Sequence, residues 1–207
     1  MREPFEYPYT TTAETWDGER ISSKVIAALR NRPGPVLDLG CGNGAPVRRL
    51  LSEGIDAYGV DASESGIRLA SQGHPGRFWV CDLESGRLPD AVLAIPFRTV
   101  LSIEVIEHMY APRALVSLAA KVLRSSGGGT FMVSTPYHGY LKNLLIALAG
   151  RYDRHHTVLW DGGHIKFFSR ATLEAMLREA GFDRLAFQGD GRVPFLWKSM
   201  LVSGELR

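Results

Sequence analysis

Cysteine is scarce in this chain, and the scarcity narrows the field. Cys41 and Cys81 are the only two in 207 residues, and they form neither a disulfide framework nor the spacing of a zinc site. Long apolar runs are missing as well. The stretch "LLIALAG" at 144–150 falls far short of the roughly 20 residues that span a bilayer, so peripheral membrane contact is the most that is expected. No block of like charge occurs: 24 basic and 22 acidic residues are spread along the chain, for a formal net charge of +2, which leaves no electrostatic footprint for nucleic acid. Repeats and low-complexity linkers are also absent. The opening "MREPFEYPYTTTAE" has no apolar core of a signal peptide. These absences point to a reducing, cytoplasmic setting, and the charge names no partner.

What is present is an alternation of helix and strand patterns in a chain that is 45% hydrophobic, enough for one domain over residues 1–207. Helices are predicted over 20–31, 45–54, 63–73, 112–124 and 169–181. Short buried strands are predicted over 35–40, 56–61, 77–82, 97–104 and 129–136, each read from apolar periodicity and its glycine, proline or capping boundaries. "FDRLAFQGD" and "FLWKSMLVSGEL" supply two final strands as an antiparallel pair. The expectation is an α/β fold: a doubly wound, seven-stranded, mostly parallel sheet. Between Tyr137 and Phe168 the rhythm breaks into an aromatic-, histidine- and glycine-rich stretch, read as a substrate-side insertion after the fifth strand.

"VLDLGCGNGAP" places Gly40, Gly42 and Gly44 at the end of the first strand, where missing side chains let the backbone turn tightly against a nucleotide-like cofactor. The pattern also satisfies the relaxed dinucleotide fingerprint, with Asp61 placed to hold a ribose, so a nicotinamide-dependent oxidoreductase stays open. Two acids favour another cofactor. Asp38, inside the strand end, suits a ligand with an ammonium group, and Asp82, ending the third strand, can accept from an exocyclic adenine amine.

"SIEVIEHM" poses a second question. If a helical turn follows a strand ending near Ile103, then Glu104, Glu107 and His108 stand at i, i+3 and i+4 on one face. They form either a solvated helix face or a mixed oxygen-nitrogen set suited to Mg²⁺ or another divalent ion. His138, following the fifth strand on the ligand side of an open sheet, is a candidate general base or a plain loop histidine. His155 and His156 read as a polar turn or a ligand pair. "YLKNLLIALAG" carries an apolar stripe for core packing, an acceptor pocket or lipid. Trp16, Tyr137, Tyr140, Trp160, Phe167 and Phe168 are candidate aromatic walls.

"VLDLGCGNG", "GVDAS", "CDLE" and "LSIEVIEHM" together resemble the successive motifs of class I S-adenosylmethionine (SAM)-dependent methyltransferases, and from about Val36 to Phe187 the likeness is to the ubiquinone-biosynthesis O-methyltransferases. The resemblance implies that Gly40, Gly42 and Gly44, with Cys41, line the methionine moiety. It implies that Asp61 and Ala62 meet the ribose, that Asp82 and Leu83 hold adenine, and that Ile103 lies along the cofactor. That family's SAM-contacting arginine finds no counterpart here. A similar E-x-x-E-H run is the divalent-metal site of the family. In the small-RNA 3′-terminal 2′-O-methyltransferases such a run is completed by a distant histidine, which "GGHIKFFS" offers as His164. The resemblance thus implies a metal set of Glu104, Glu107, His108 and His164, with His108, His138 and His164 as catalytic candidates. The acceptor implied is a small hydroxylated, aromatic or quinol-like molecule, and a SAM-binding assembly protein without catalysis is the alternative.

Overall fold

The computed structural model describes residues 7–13, 16–30, 32 and 34–207, residues 16–19 by backbone alone. The elements are α1 (Trp16–Leu29), β1 (Val36–Leu39), α2 (Ala45–Ser52), β2 (Ala57–Asp61), α3 (Glu64–Ala70), β3 (Phe78–Val80), α4 (Asp90–Leu93) and β4 (Thr99–Ile103), followed by α5 (Pro112–Ser125), β5 (Gly129–Pro136), α6 (Tyr140–Leu148), α7 (Tyr152–His156), α8 (Arg170–Glu179), β6 (Asp183–Asp190) and β7 (Ser199–Leu206). The strands form one sheet in the order β3-β2-β1-β4-β5-β7-β6. β1 to β5 run parallel, and β7 lies antiparallel between β5 and β6.

Helices cover both faces, which is why β1 reads as an unbroken run and is buried at all four positions. Val36 joins a core layer with Ile21, Val25 and Leu29 of α1, Val47 and Leu50 of α2 and Ile67 of α3. Leu37 and Leu39, on the opposite face by strand alternation, pack with Leu115 and Leu123 of α5 and Leu173 and Leu177 of α8. Helix starts follow capping chemistry: the Ser63 hydroxyl accepts from Gly66 N at 3.0 Å ahead of α3, and Ser169 and Thr172 form a reciprocal box ahead of α8.

Residues 137–168 hold two helices, α6 and α7. Only Lys142 is buried in α6, while Leu141, Leu144, Leu145 and Leu148 are exposed, so the apolar stripe of this helix does not serve the core. Among the described residues no helix is long and apolar enough to cross a membrane.

The connections position the ligand side. With β1 flanked by β2 on one side and β4 on the other, the chain reverses its winding there, and the crevice at the carboxyl ends of β1 and β4 is the place where open sheets of this kind bind ligands.

Candidate active site

The loop after β1 fills one wall of that crevice. Gly42 has φ 54°, and a β-carbon there would stand 2.5 Å from the Tyr9 hydroxyl, so both conformation and space demand glycine. Its amide donates to Asp61 Oδ2 at 2.7 Å, while Ser63 N donates to Oδ1 at 2.8 Å. Asp61 is thereby held at the end of β2, its carboxylate fixed against the glycine loop and the start of α3. Ala62 follows it, half-buried.

Asp38 is buried at the end of β1, and its charge, with that of Asp61, acts on both Tyr9 and Cys41. The Cys41 sulfur is buried against β2, 2.6 Å from where a β-carbon on Gly59 would stand, and burial holds the thiol far above its usual range. Asp82 is exposed and accepts from Glu84 N at 2.9 Å, which orients it at the end of β3 beside the buried Leu83. Ile103 closes β4, half-buried.

A strap not foreseen from the sequence crosses this crevice. Ser63 Oγ donates to Tyr7 O at 2.8 Å, Tyr9 N donates to Ser65 Oγ at 3.1 Å, and Asn43 Nδ2 donates to the carbonyls of Thr11 and Ala13 at 2.8 and 2.9 Å. The bonds tie residues 7–13 to the glycine loop and to the start of α3. Burial, and then the Asp61 charge, raise the Tyr9 hydroxyl far above its ordinary range, so it stays a neutral donor.

The second wall follows β4. Glu104 takes a left-handed conformation, φ 54°, and Ile106–His108 form a 3₁₀ turn. The helical face expected for Glu104, Glu107 and His108 is therefore absent, because the backbone reverses at Glu104 before the turn begins. Ser134 Oγ donates to Glu104 Oε1 at 2.9 Å and Ser199 Oγ to Oε2 at 3.4 Å, drawing this carboxylate toward β5 and β7.

Glu107 points elsewhere. Its side chain is buried, and neither carboxylate oxygen has a hydrogen-bond partner. His108 Nε2 lies 3.9 Å and His164 Nε2 4.0 Å from Glu107 Oε1. One ligand atom from each of the three lies within 4.8 Å of the others, and Glu104 stands outside the group. Of the four residues expected, the structure brings Glu107, His108 and His164 together and leaves Glu104 outside the group.

The convergence has a backbone cause, since Ile165 N and Lys166 N both donate to Glu107 O, at 2.9 and 3.0 Å, and so dock the His164 segment on the turn. His108 Nδ1 lies 3.0 Å from Gly162 O. A carbonyl can only accept, so Nδ1 carries the proton and the neutral ring turns the Nε2 lone pair toward Glu107. Burial lowers the pKa of His108, and lowers that of His164 to about 4, so both rings are neutral near pH 7; burial, then the Glu104 charge, raise that of Glu107. A buried carboxyl group facing two neutral imidazoles is a donor set that fits a divalent cation.

Beside these residues lies a cavity of about 430 Å³ lined by Trp160, His164, Ile165, Phe167, His156 and Tyr152, among others. The Trp160 ring stands edge-on to both His108 and His164. His138 does not line this cavity. Its ring stacks on His156, 5.4 Å between centroids, and meets Phe167 edge-on, one layer behind the wall. Phe168 and Tyr137 are core residues, Tyr140 is 84% exposed, and the Trp16 side chain lies outside the described residues.

Comparison with known proteins decides the family. Residues 14–186 match the family described as "Methyltransferase domain". The chain belongs to that family. It is a class I SAM-dependent methyltransferase. The nicotinamide alternative falls with this, and the antiparallel β7 inserted beside β5 departs from the parallel dinucleotide-binding sheet. A ubiquinone biosynthesis O-methyltransferase of Roseobacter denitrificans is 27% identical over all of this chain and 82% of its own length. One of Psychrobacter arcticus is 31% identical over 72% of this chain and 59% of its own.

Among solved structures, the magnesium protoporphyrin IX methyltransferase of Synechocystis with bound SAH shares the fold with a TM-score of 0.65 at 21% identity, over 95% of this chain and 90% of that one. The methyltransferase domain of bacterial CtHen1-CN does so with a TM-score of 0.65 at 22% identity, over 91% and 98%.

Proposed function

We propose that this methyltransferase transfers the SAM methyl group to a hydroxyl oxygen of a small, quinol- or catechol-like acceptor, with a divalent cation held by Glu107, His108 and His164. The observation that carries the reading is the Glu107 carboxylate, buried without a hydrogen-bond partner and faced by two imidazole nitrogens. The relatives named ubiquinone biosynthesis O-methyltransferase support the oxygen acceptor. When bound, the cation would lower the acceptor's hydroxyl pKa and orient paired oxygens.

The remaining tasks belong to the chain. In-line displacement at the sulfonium needs the acceptor oxygen about 3–3.5 Å from the methyl carbon, which the glycine loop and Asp61 serve from one side and the Trp160–Phe167 cavity from the other. The hydroxyl proton must also leave. His156 is the cavity-lining imidazole outside the metal set, and burial and the Lys142 charge lower its pKa, so at neutral pH it is unprotonated and able to accept. His138, a candidate base or plain loop histidine by sequence, stacks on His156.

Incubating the chain with SAM and a panel of catechols and hydroquinones, with mass spectrometry for a gain of one methyl, tests the reading. Turnover should disappear on chelation while SAM binding persists. Full turnover by extensively chelated enzyme would remove the cation from the reading, and transfer to amines alone would remove the oxygen.

A further inference from the structure

A second cavity, of about 440 Å³, lies beside α7 and is lined by Ile146, Arg151, Arg154 and His155. Arg20, Arg77, Arg113, Arg170, Arg178 and Arg184 each lie within 4 Å of a carboxylate. Arg151 and Arg154 do not: neither guanidinium has an ion pair or hydrogen bond among the described residues. They stand three positions apart, at the start of α7 and within it, a spacing that puts two side chains on one side of a helical turn. Asp153 lies between them in sequence and pairs with neither.

We propose that Arg151, Arg154 and His155 form an anion-binding subsite that receives a carboxylate or phosphate substituent of the methyl acceptor. The inference rests on the reading of the neighbouring cavity as the acceptor pocket and adds the charge of the molecule that fills it. The two cavities adjoin along α7: His155 lines one and His156 the other, their rings stand 5.0 Å apart, and the charges of both act on His164. An aromatic acceptor in the His156–His164 cavity can therefore extend an acidic group past His155 to the arginines. The local field has the right sign: after burial, which is the larger cause, the Lys142 ammonium lowers the pKa of both His155 and His156, as a positive potential does. Two guanidinium forks without carboxylate partners match the planar oxygens of a carboxylate or phosphate.

The test separates binding from turnover. Inorganic phosphate and benzoate are titrated calorimetrically into the full chain, wild type and the Arg151→Ala/Arg154→Ala double variant, with SAM as control. Saturable binding of both anions that weakens at least about tenfold in the double variant, with SAM affinity unchanged, is expected from lost charge-assisted bonds. Equal isotherms, or none in the wild type, overturn the subsite. In the activity arm, the double variant raises KM for 3,4-dihydroxybenzoate at least about tenfold while KM for neutral 4-methylcatechol stays within about twofold; equal changes for the two overturn it. If no catechol is methylated, the O-methylation reading fails and the titration still decides the subsite. Arginine-dependent sedimentation with phosphatidylglycerol vesicles, without binding of soluble anions, overturns it in favour of a lipid surface. Methylation of an oligoribonucleotide in preference to the acidic catechol overturns it in favour of RNA.

Discussion

The Tyr9 hydroxyl sits directly over Gly42, so close that a β-carbon on the glycine would lie 2.5 Å away. The strap of residues 7–13 brings a neutral hydroxyl donor over the glycine loop. Tyr9→Ala is expected to weaken SAM binding by about threefold to tenfold, the worth of one ordinary hydrogen bond with its packing. Tyr9→Phe should recover the packing part alone. Isothermal titration of SAM reads both, and an unchanged dissociation constant for Tyr9→Ala would mean that the strap swings clear of the bound cofactor.

Asp61 has two tasks, and its substitution separates them. Asp61→Ala frees Gly42 N and Ser63 N, loosening the loop, and also removes the acceptors for two ribose hydroxyls. SAM affinity should fall by about 1.5–3 kcal/mol for each charge-assisted bond lost, at most. Adenosine binding should fall in parallel. A variant that loses SAM and keeps adenosine would place the ribose elsewhere.

Much of this arrangement was legible before any coordinates. The five parallel strands and the glycine loop follow from short-range signals: apolar runs of strand length, glycines at strand ends and Ser169 as a cap. The last two strands read correctly as an antiparallel pair. What failed depended on contacts distant in sequence. Nothing local announces that Glu104 adopts a left-handed conformation, because Ser134 and Ser199, which hold its carboxylate, come from β5 and β7. The docking of residues 164–166 on Glu107 O is a backbone bond over nearly sixty positions, invisible to periodicity, and only likeness to a family pointed to His164. Tyr9 lay in a stretch without helix or strand pattern. The signal that could have found the strap was its aromatic residues beside a glycine loop that needs a cover.

The acid limb of stability has an assigned source. His138 is buried, and burial, then the Lys142 charge, lower its pKa from 6.5 to about 4. Between those values the unfolded chain binds a proton that the folded one refuses, so this contribution is complete above pH 6.5 and is lost as pH falls toward about 4. Urea midpoints should decline across that window. His138→Phe, which keeps a ring against His156 and Phe167, should flatten the decline. An equal decline in the variant would assign it to the other histidines.

Glu107 should trade stability for ligation. Burial and the neighbouring Glu104 raise its pKa well above the usual carboxylate value of 4.5. The folded state then holds a proton that the unfolded one gives up. The stability from this group is complete below pH 4.5 and is lost as pH rises through the raised value. Glu107→Gln keeps the shape without the charge, so the cation-free variant should melt higher than wild type at pH 7, by on the order of a few degrees for a chain this long, and gain less at pH 4. Divalent cations should act the other way. Mn²⁺ or Mg²⁺ should raise the melting temperature of the wild type by binding the folded state alone, and Glu107→Gln or His164→Ala should cut that rise and weaken cation affinity at least about tenfold, the low end of what losing even an outer partner costs. SAM affinity should stay unchanged in both variants, because Asp61 and the glycine loop lie on the opposite wall of the crevice. A wild-type melting temperature indifferent to divalent cations at pH 7, with SAM present, would leave Glu107 as a buried acid without a ligand and return the proton transfer to the imidazoles alone.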